Sequence, residues 1–162
     1  MPNDTLIYWD SCVFIDLIEK TTSRYQTLEA IVASAERGEA RIISSSVSLA
    51  EVVKLNSLAG VLPEWKEKLI VQFFENDYIS IRNVDRVVAE LARPIMRNHN
   101  RKTPDAIHVA TALHSKAQVL HTYDADLLKL DKLISLPNSL PLRIEEPHWS
   151  YQTVLVAGAN LP

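Results

Sequence analysis

The chain has 162 residues, of which 47 % are hydrophobic and 23 % charged, and its formal net charge is −3. This composition is typical of a folded globular protein. The net charge argues against broad nonspecific binding of nucleic acid. No apolar run reaches the roughly 20 residues that span a bilayer. The stretch MPNDTLIYWD has no basic segment followed by an apolar one, and Cys12 is the only cysteine. We therefore expect a cytoplasmic protein with no membrane segment and no internal disulfide.

Short β-branched and aromatic runs alternate with helical apolar patterns along the chain. In chain order they predict a strand at 6–9, helices at 11–20 and 24–37, a strand at 41–44, helices at 47–58 and 63–76, a strand at 78–82, helices at 84–99 and 104–116, a strand at 119–122, a short helix after Asp126 and a strand at 142–145. This alternation predicts an α/β fold in which helices cover both faces of a parallel sheet.

The length fits one domain, and no linker or repeat divides the chain. We assign residues 1–146 to the domain. Residues 147–162 form a C-terminal tail whose role the sequence leaves open: it is an extra packed segment, an arm that binds a partner, or a frayed end.

Acidic residues follow two of the predicted strands. IYW leads into Asp10, and HTY leads into Asp124, with Asp126 two residues later. Sites in open parallel sheets form at the carboxyl ends of strands, where the strand order reverses. Asp105 opens the helix that precedes the second of these strands. Its ordinary interpretation is a helix start, with Thr103 as the N-cap and Pro104 at the first helical position.

Glu51 is the fourth acidic residue of interest. In the helix predicted at 47–58, Val47, Leu55 and Leu58 fall within about 40° of it on a helical wheel. A carboxylate among apolar neighbours is costly unless something compensates its charge, and a metal ion would do so. Each acid also has an ordinary role as a cap, a turn residue or a solvated side chain. Together, the four predict a metal site.

These residues resemble those of PIN-domain nucleases, most specifically the VapC-type toxin ribonucleases of prokaryotic toxin–antitoxin pairs. The resemblance keeps order and spacing over about residues 5 to 145. It is carried by Asp10-Ser11 after the first strand, Glu51 in SLAEVVK, Asp105 in TPDAIHVATAL, and Thr122, Asp124 and Asp126 in HTYDADLL. Two features depart from the family: Cys12 follows the Asp-Ser pair, and the tail after Pro147 is longer than the fold requires.

The resemblance implies a three-layer α/β/α sandwich, dependence on Mg²⁺ or Mn²⁺, and an acidic set that matches Asp10, Glu51, Asp105 and Asp124. Asp124 ranks above Asp126 because it directly follows the strand. Phosphodiester hydrolysis suits such a cluster, since hard divalent cations prefer oxygen ligands, activate water and stabilise the leaving oxygen.

Roles within this site can be assigned in outline. We predict that Asp10 and Asp105 are direct ligands, and that Glu51 and Asp124 complete the site directly or through water. Ser11 and Thr122 either hydrogen-bond to the neighbouring carboxylates or act as ordinary caps.

Basic residues near the acids could offset their repulsion of RNA. Arg97, Arg101 and Lys102 precede Asp105, and Lys54 lies one turn after Glu51. They either contact phosphates or belong to a solvated surface. The histidines show no metal-ligand spacing, and we interpret Cys12 as a small buried hydrophobic residue.

The family resemblance also implies partners: an RNA substrate, a homodimer and a cognate antitoxin that reaches into the acidic site. The stretch LPEWKEKLIVQFFE could offer apolar surface to such a partner, or pack into the core. One alternative is a catalytically silent PIN-like module that binds RNA or protein. A haloacid-dehalogenase-like phosphatase is less favoured, because Cys12 stands where that family has a second Asp.

Overall fold

A five-stranded sheet forms the middle layer of the computed structural model, which describes residues 5–149. The strand order is β3-β2-β1-β4-β5, and every neighbouring pair is parallel. The strands are β1 (Thr5–Trp9), β2 (Ala40–Ser45), β3 (Ile79–Arg82), β4 (Val119–His121) and β5 (Arg143–Glu145). The chain builds outward from β1 to β3 and then returns to the other side of β1. The strand order therefore reverses between β1 and β4, where open parallel sheets form their sites.

Helices cover both faces of this sheet. They are α1 (Ser11–Glu19), α2 (Tyr25–Glu36), α3 (Ser46–Glu51), α4 (Glu64–Phe74), α5 (Arg86–His99), α6 (Thr103–His114) and α7 (Ala125–Leu128). Successive side chains of a strand point to opposite faces, so Trp9 joins one core and Tyr8 the other. The first core contains buried residues of α1, α2 and α4, and the second those of α5, α6 and α7. The three-layer α/β/α sandwich is confirmed.

The helix predicted at 47–58 is wrong in its second half. It ends at Glu51, and turns follow from Val52 onward. Leu55 is nonetheless buried in the first core, because the turns direct it there. The carboxylate of Glu19 accepts the backbone N–H of Ser57 at 2.6 Å, which satisfies a group that a helix would otherwise have paired. The helical-wheel argument about Glu51 therefore does not hold.

Among the helix starts that differ from the prediction, two lie beside candidate site residues. The helix expected after Asp126 begins at Ala125, with Asp124 as its N-cap. Helix α6 begins at Thr103, with Lys102 as the N-cap and no side-chain cap hydrogen bond. Asp105 remains in the first turn, where a carboxylate complements the helix dipole.

Helix α4 divides its apolar residues between core and surface. Ile70 and Phe74 are buried, whereas Trp65 and Leu69 are 64 % and 56 % exposed. One side of the stretch at 62–75 thus packs into the core, and the other side leaves apolar surface exposed; its use by a partner stays a prediction. Of the tail predicted at 147–162, residues 150–162 lie outside the described residues. Within residues 5–149, no helix is long and apolar enough to cross a membrane.

Candidate metal centre

Four carboxylates line one cavity of about 400 Å³ beyond the carboxyl ends of the strands. Asp10 follows β1, Asp124 follows β4, and Glu51 ends the helix after β2. Asp105 comes from the first turn of α6. The structure thus brings together four acidic residues from distant segments, at the point where the strand order reverses.

Asp10 is the most buried of the four, with 4 % of its surface exposed. Its carboxylate accepts hydrogen bonds from the Val13 backbone N–H at 3.3 Å, the Cys12 thiol at 2.8 Å and the Thr122 hydroxyl. Burial raises the pKa of Asp10 above its ordinary value, although these hydrogen bonds to the carboxylate oppose the shift. A cation in the cavity would favour the ionised carboxylate.

Glu51 is held by a chain of side chains that leads back to Tyr8 on β1. Its Oε2 lies 3.0 Å from Nε2 of His108 and also accepts the Ser11 hydroxyl. Nδ1 of His108 lies 2.8 Å from the Tyr8 hydroxyl. Burial raises the pKa of Tyr8 well above its usual range, so its hydroxyl keeps its proton and donates to Nδ1. Nε2 of His108 then carries the ring N–H and donates it to Glu51.

His108 was missed by the sequence analysis, which looked for histidines spaced as metal ligands. The overlooked signal was its position three residues after Asp105, because residues i and i+3 share one side of a helix. The hydrogen bond from His108 lowers the pKa of Glu51. This carboxylate therefore stays ionised toward the cavity.

Asp105 and Asp124 influence each other across the cavity. Burial raises the pKa of Asp105, and the negative charge of Asp124 raises it further. Asp124 caps α7, where its Oδ1 accepts the backbone N–H groups of Asp126 at 2.7 Å and Leu127 at 3.0 Å. These contacts fix the orientation of the Asp124 carboxylate. A divalent cation would relieve the repulsion between the two acids.

Asp126 does not line the cavity. Its carboxylate lies on the surface, 2.7 Å from the ammonium of Lys129 and 3.6 Å from the guanidinium of Arg101. The hydrogen bond from Lys129 lowers the pKa of Asp126. This acid already has two cationic partners, whereas Asp124 faces the other carboxylates.

The proposed phosphate-binding residues separate into groups. Lys54 lines the acidic cavity, and the charge of Lys102 lowers the pKa of Asp105. Arg101 pairs with Asp126 beside α7. Arg97 lies in a different groove on α5, next to Arg93. Lys54 and Lys102 are thus the basic residues that the structure brings to the acids.

Cys12 lies beside the site as a protonated thiol. It donates to Asp10 and accepts the Tyr123 backbone N–H at 3.3 Å. Burial and the neighbouring Asp10 raise the pKa of the thiol well above its usual range. A thiol that keeps its proton is a poor nucleophile, so Cys12 orients Asp10 instead.

Three comparisons place this geometry among known proteins. The PIN domain family model matches residues 7–133. None of the curated proteins compared by sequence matches the chain. A similar solved structure is that of VapC20 from Mycobacterium tuberculosis, a toxin that cleaves the sarcin–ricin loop. Its sequence is 18 % identical and the TM-score is 0.60, over an alignment that covers 75 % of this chain and 92 % of VapC20. A toxin–antitoxin complex from Klebsiella pneumoniae gives 19 % identity and a TM-score of 0.58, covering 89 % and 99 %. At these identities the likeness is one of fold.

Proposed function

This chain belongs to the PIN domain family, and on that premise we propose that it is a divalent-metal-dependent endoribonuclease. The observation that carries the proposal is the convergence of Asp10, Glu51, Asp105 and Asp124 on one cavity. PIN domains are typically nucleases, and a divalent metal would offset the repulsion among four carboxylates that share their cavity with one lysine, Lys54.

The donor set fits Mg²⁺ or Mn²⁺, which prefer oxygen ligands. Asp10 and Asp105 would be direct ligands, with Glu51 and Asp124 completing the site directly or through water. When bound, the metal would supply activation of the attacking water and stabilisation of the leaving oxygen. Mg²⁺ keeps several waters when it binds to proteins, so four carboxylates need not all coordinate it.

The surrounding residues would orient these carboxylates and attract the substrate. Thr122 and Cys12 hold Asp10, and His108 holds Glu51, so neither carboxylate must be ordered when RNA arrives. Lys54 and Lys102 supply positive charge beside an otherwise anionic cavity and would contact phosphates.

The finer proposal is that this ribonuclease is the toxin of a toxin–antitoxin pair and acts in the cytoplasm. Likeness in fold to VapC20 and to a toxin–antitoxin complex supports it. The partners would be a second copy of the chain and a cognate antitoxin that reaches into the acidic site, and the exposed Trp65 and Leu69 of α4 would offer apolar surface to such a partner. A small reading frame beside this gene, encoding a short protein with a DNA-binding N-terminus, would support the pairing.

A catalytically silent PIN-like module that binds RNA or protein is the alternative. It has the same fold and could retain the acids as structural groups. An RNA cleavage assay of the purified protein with Mg²⁺ and with EDTA separates the two. Metal-dependent cleavage supports the enzyme, whereas RNA binding without cleavage under either condition supports the silent module.

A further inference from the structure

A second group of metal-binding side chains lies where β4 and β5 end. His121 is the last residue of β4, Glu145 is the last of β5, and the two are register partners. His148 follows three residues later. One ligand atom from each of the three side chains lies within 4.8 Å of the other two. None of these residues lines the acidic cavity.

We propose that His121, Glu145 and His148 form a Zn²⁺ site, separate from the acidic cavity and independent of the proposed ribonuclease activity. Two imidazole nitrogens and one carboxylate oxygen suit a borderline divalent ion such as Zn²⁺, whereas Mg²⁺ prefers oxygen ligands alone. Three protein ligands leave the fourth tetrahedral position for water.

The three side chains can close around an ion with small movements. Tetrahedral zinc ligands lie about 3.4 Å apart, given metal–ligand distances of about 2.0–2.1 Å. The side chains of Glu145 and His148 are 28 % and 54 % exposed, so they can rotate toward a buried partner. Trp149 packs against the first core, which holds the adjacent His148 close to the sheet.

His121 supplies the fixed, neutral ligand of the site. Burial lowers its pKa to about 3, with smaller effects from His148 and Arg143, so no proton competes with the metal near neutral pH. The indole N–H of Trp9 donates to Nδ1 at 3.3 Å. This hydrogen bond is lost whichever ring nitrogen of His121 binds zinc. If Nδ1 binds zinc, its lone pair is no longer free to accept. If Nε2 binds zinc, the ring proton moves to Nδ1, which then cannot accept either. Losing one long, neutral hydrogen bond reduces zinc affinity by about tenfold.

Arg143 is the positive charge that opposes metal binding. Its Nη2 donates to both carboxylate oxygens of Glu145, at 2.7 Å and 2.8 Å. An ionised carboxylate has about four lone-pair sites, so Glu145 can keep this partner and still bind a metal. Removing the guanidinium should therefore strengthen zinc binding, an effect opposite to that of general damage to the fold.

Zinc at this site would fasten the segment after β5 to the sheet. His148 belongs to that segment, whereas His121 and Glu145 belong to neighbouring strands. The ion would thus join three parts of the chain that are already linked at this point by strand pairing, by the packing of Trp149 and by the contact of His148 Nδ1 with Glu145 Oε1 at 3.5 Å.

Isothermal titration of the untagged full chain with Zn²⁺, in millimolar Mg²⁺ to occupy the acidic cavity, tests the proposal. We expect one zinc equivalent, an affinity at least tenfold weaker in His148→Ala, and a tighter affinity in Arg143→Gln. The control His114→Ala removes an exposed histidine at the end of α6 and should bind like the wild type, as should Asp105→Asn.

Thermal melting gives a second measurement on the same proteins. Zinc should raise the melting temperature of the wild type and of His114→Ala, and should raise that of His148→Ala clearly less at the same zinc concentration. No zinc equivalent in the wild type, or equal zinc affinity in His148→Ala and His114→Ala, would overturn the proposal. Either result leaves the ribonuclease proposal untouched, because the residues are different.

Discussion

Nε2 of His108 lies 3.0 Å from Oε2 of Glu51, although the two residues are 57 positions apart in the chain. The contact joins α6 to the end of α3, and Tyr8 extends it into the second core. His108 is 3 % exposed, so its hydrogen bonds have little competition from water. The orientation of a carboxylate in the candidate metal centre therefore depends on a buried histidine.

The first prediction concerns this histidine. His108→Phe keeps a ring of similar size but removes the hydrogen bonds that His108 makes to Tyr8 and to Glu51, which leaves Glu51 with the Ser11 hydroxyl. We expect a loss of about 1–3 kcal/mol in the free energy of unfolding, measured in urea, and a clear fall in RNA cleavage. Tyr8→Phe is the matched control, because it removes the outer hydrogen bond and keeps the one to Glu51. An activity loss in Tyr8→Phe as large as in His108→Phe would show that the direct contact with Glu51 is not what matters.

The second prediction separates two roles of Asp105. If Asp105 only helps to start the helix, Asp105→Asn should lower the free energy of unfolding by roughly 0.3–1 kcal/mol, with or without metal, because a favourable interaction with the helix dipole is lost. Within the acidic cavity, the change removes like-charge repulsion and should raise the melting temperature in EDTA. The free energy of unfolding of the wild type should rise by about 2.7 kcal/mol when Mg²⁺ is present at 100 times its dissociation constant. The variant should lose most of this stabilisation by Mg²⁺.

The pH dependence of Asp105→Asn checks the same point by its sign. The folded-state pKa of Asp105 is raised, so the folded protein binds this proton more tightly than the unfolded chain does. In EDTA, the wild type should lose stability relative to the variant as pH rises from below the ordinary value of 3.8 toward the raised pKa. If Asp105→Asn is less stable than the wild type in EDTA and is stabilised by Mg²⁺ as much as the wild type is, Asp105 acts only as an ordinary helix-start residue.

The third prediction ranks the basic residues by their position. Lys54 lines the acidic cavity and Arg97 lies in a separate groove on α5. Lys54→Gln should therefore raise the KM for RNA several-fold and reduce the salt dependence of binding by about 0.7 in slope, the value for one single-strand phosphate contact. Arg97→Gln should change both quantities little. If Arg97→Gln has the larger effect on KM and on the salt dependence, the RNA binds along α5 instead.

The fourth prediction concerns the apolar surface of α4. We expect a homodimer at tens of micromolar, measured by light scattering, and a weaker association in Leu69→Lys because the charge would be buried at the contact. Val87→Lys is the control, since Val87 is comparably exposed but lies on α5. If light scattering finds only monomers of the wild type, the predicted homodimer is wrong. A dimer that Leu69→Lys leaves intact would move the contact away from α4.

Local patterns predicted the layers of this fold because strands and helices here differ in period and in β-branched content. Asp10 and Asp124 could be located from the strands they follow, since parallel strands end at one edge of the sheet. Glu51 reaches the cavity for a different reason from the one predicted: its helix stops there, and the apolar residues beyond it are buried by turns. Within those turns, the backbone N–H of Ser57 is paired by Glu19, which is distant in the chain.

Histidines show most clearly where the sequence was insufficient. His108 meets Glu51, and His121 meets Glu145 and His148, through strand order and helix docking. No spacing along the chain encodes these contacts, because the sheet and the helices packed on it bring the residues together. Asp105 and His108 were the exception, since their separation of three residues on one helix could have indicated a shared side.

Cleavage of a defined RNA by matched variants tests the central claim most directly. We expect the wild type to cleave in Mg²⁺ or Mn²⁺ and to stop in EDTA, and Asp10→Asn and Asp105→Asn to lose at least about 100-fold in rate, as expected when a ligand of the reacting metal is removed. Asp126→Asn, which changes a carboxylate outside the cavity, should stay within a few-fold of the wild type. Cleavage that persists in EDTA, or equal activity in Asp10→Asn, Asp105→Asn and the wild type, would contradict a metal-dependent ribonuclease at this site.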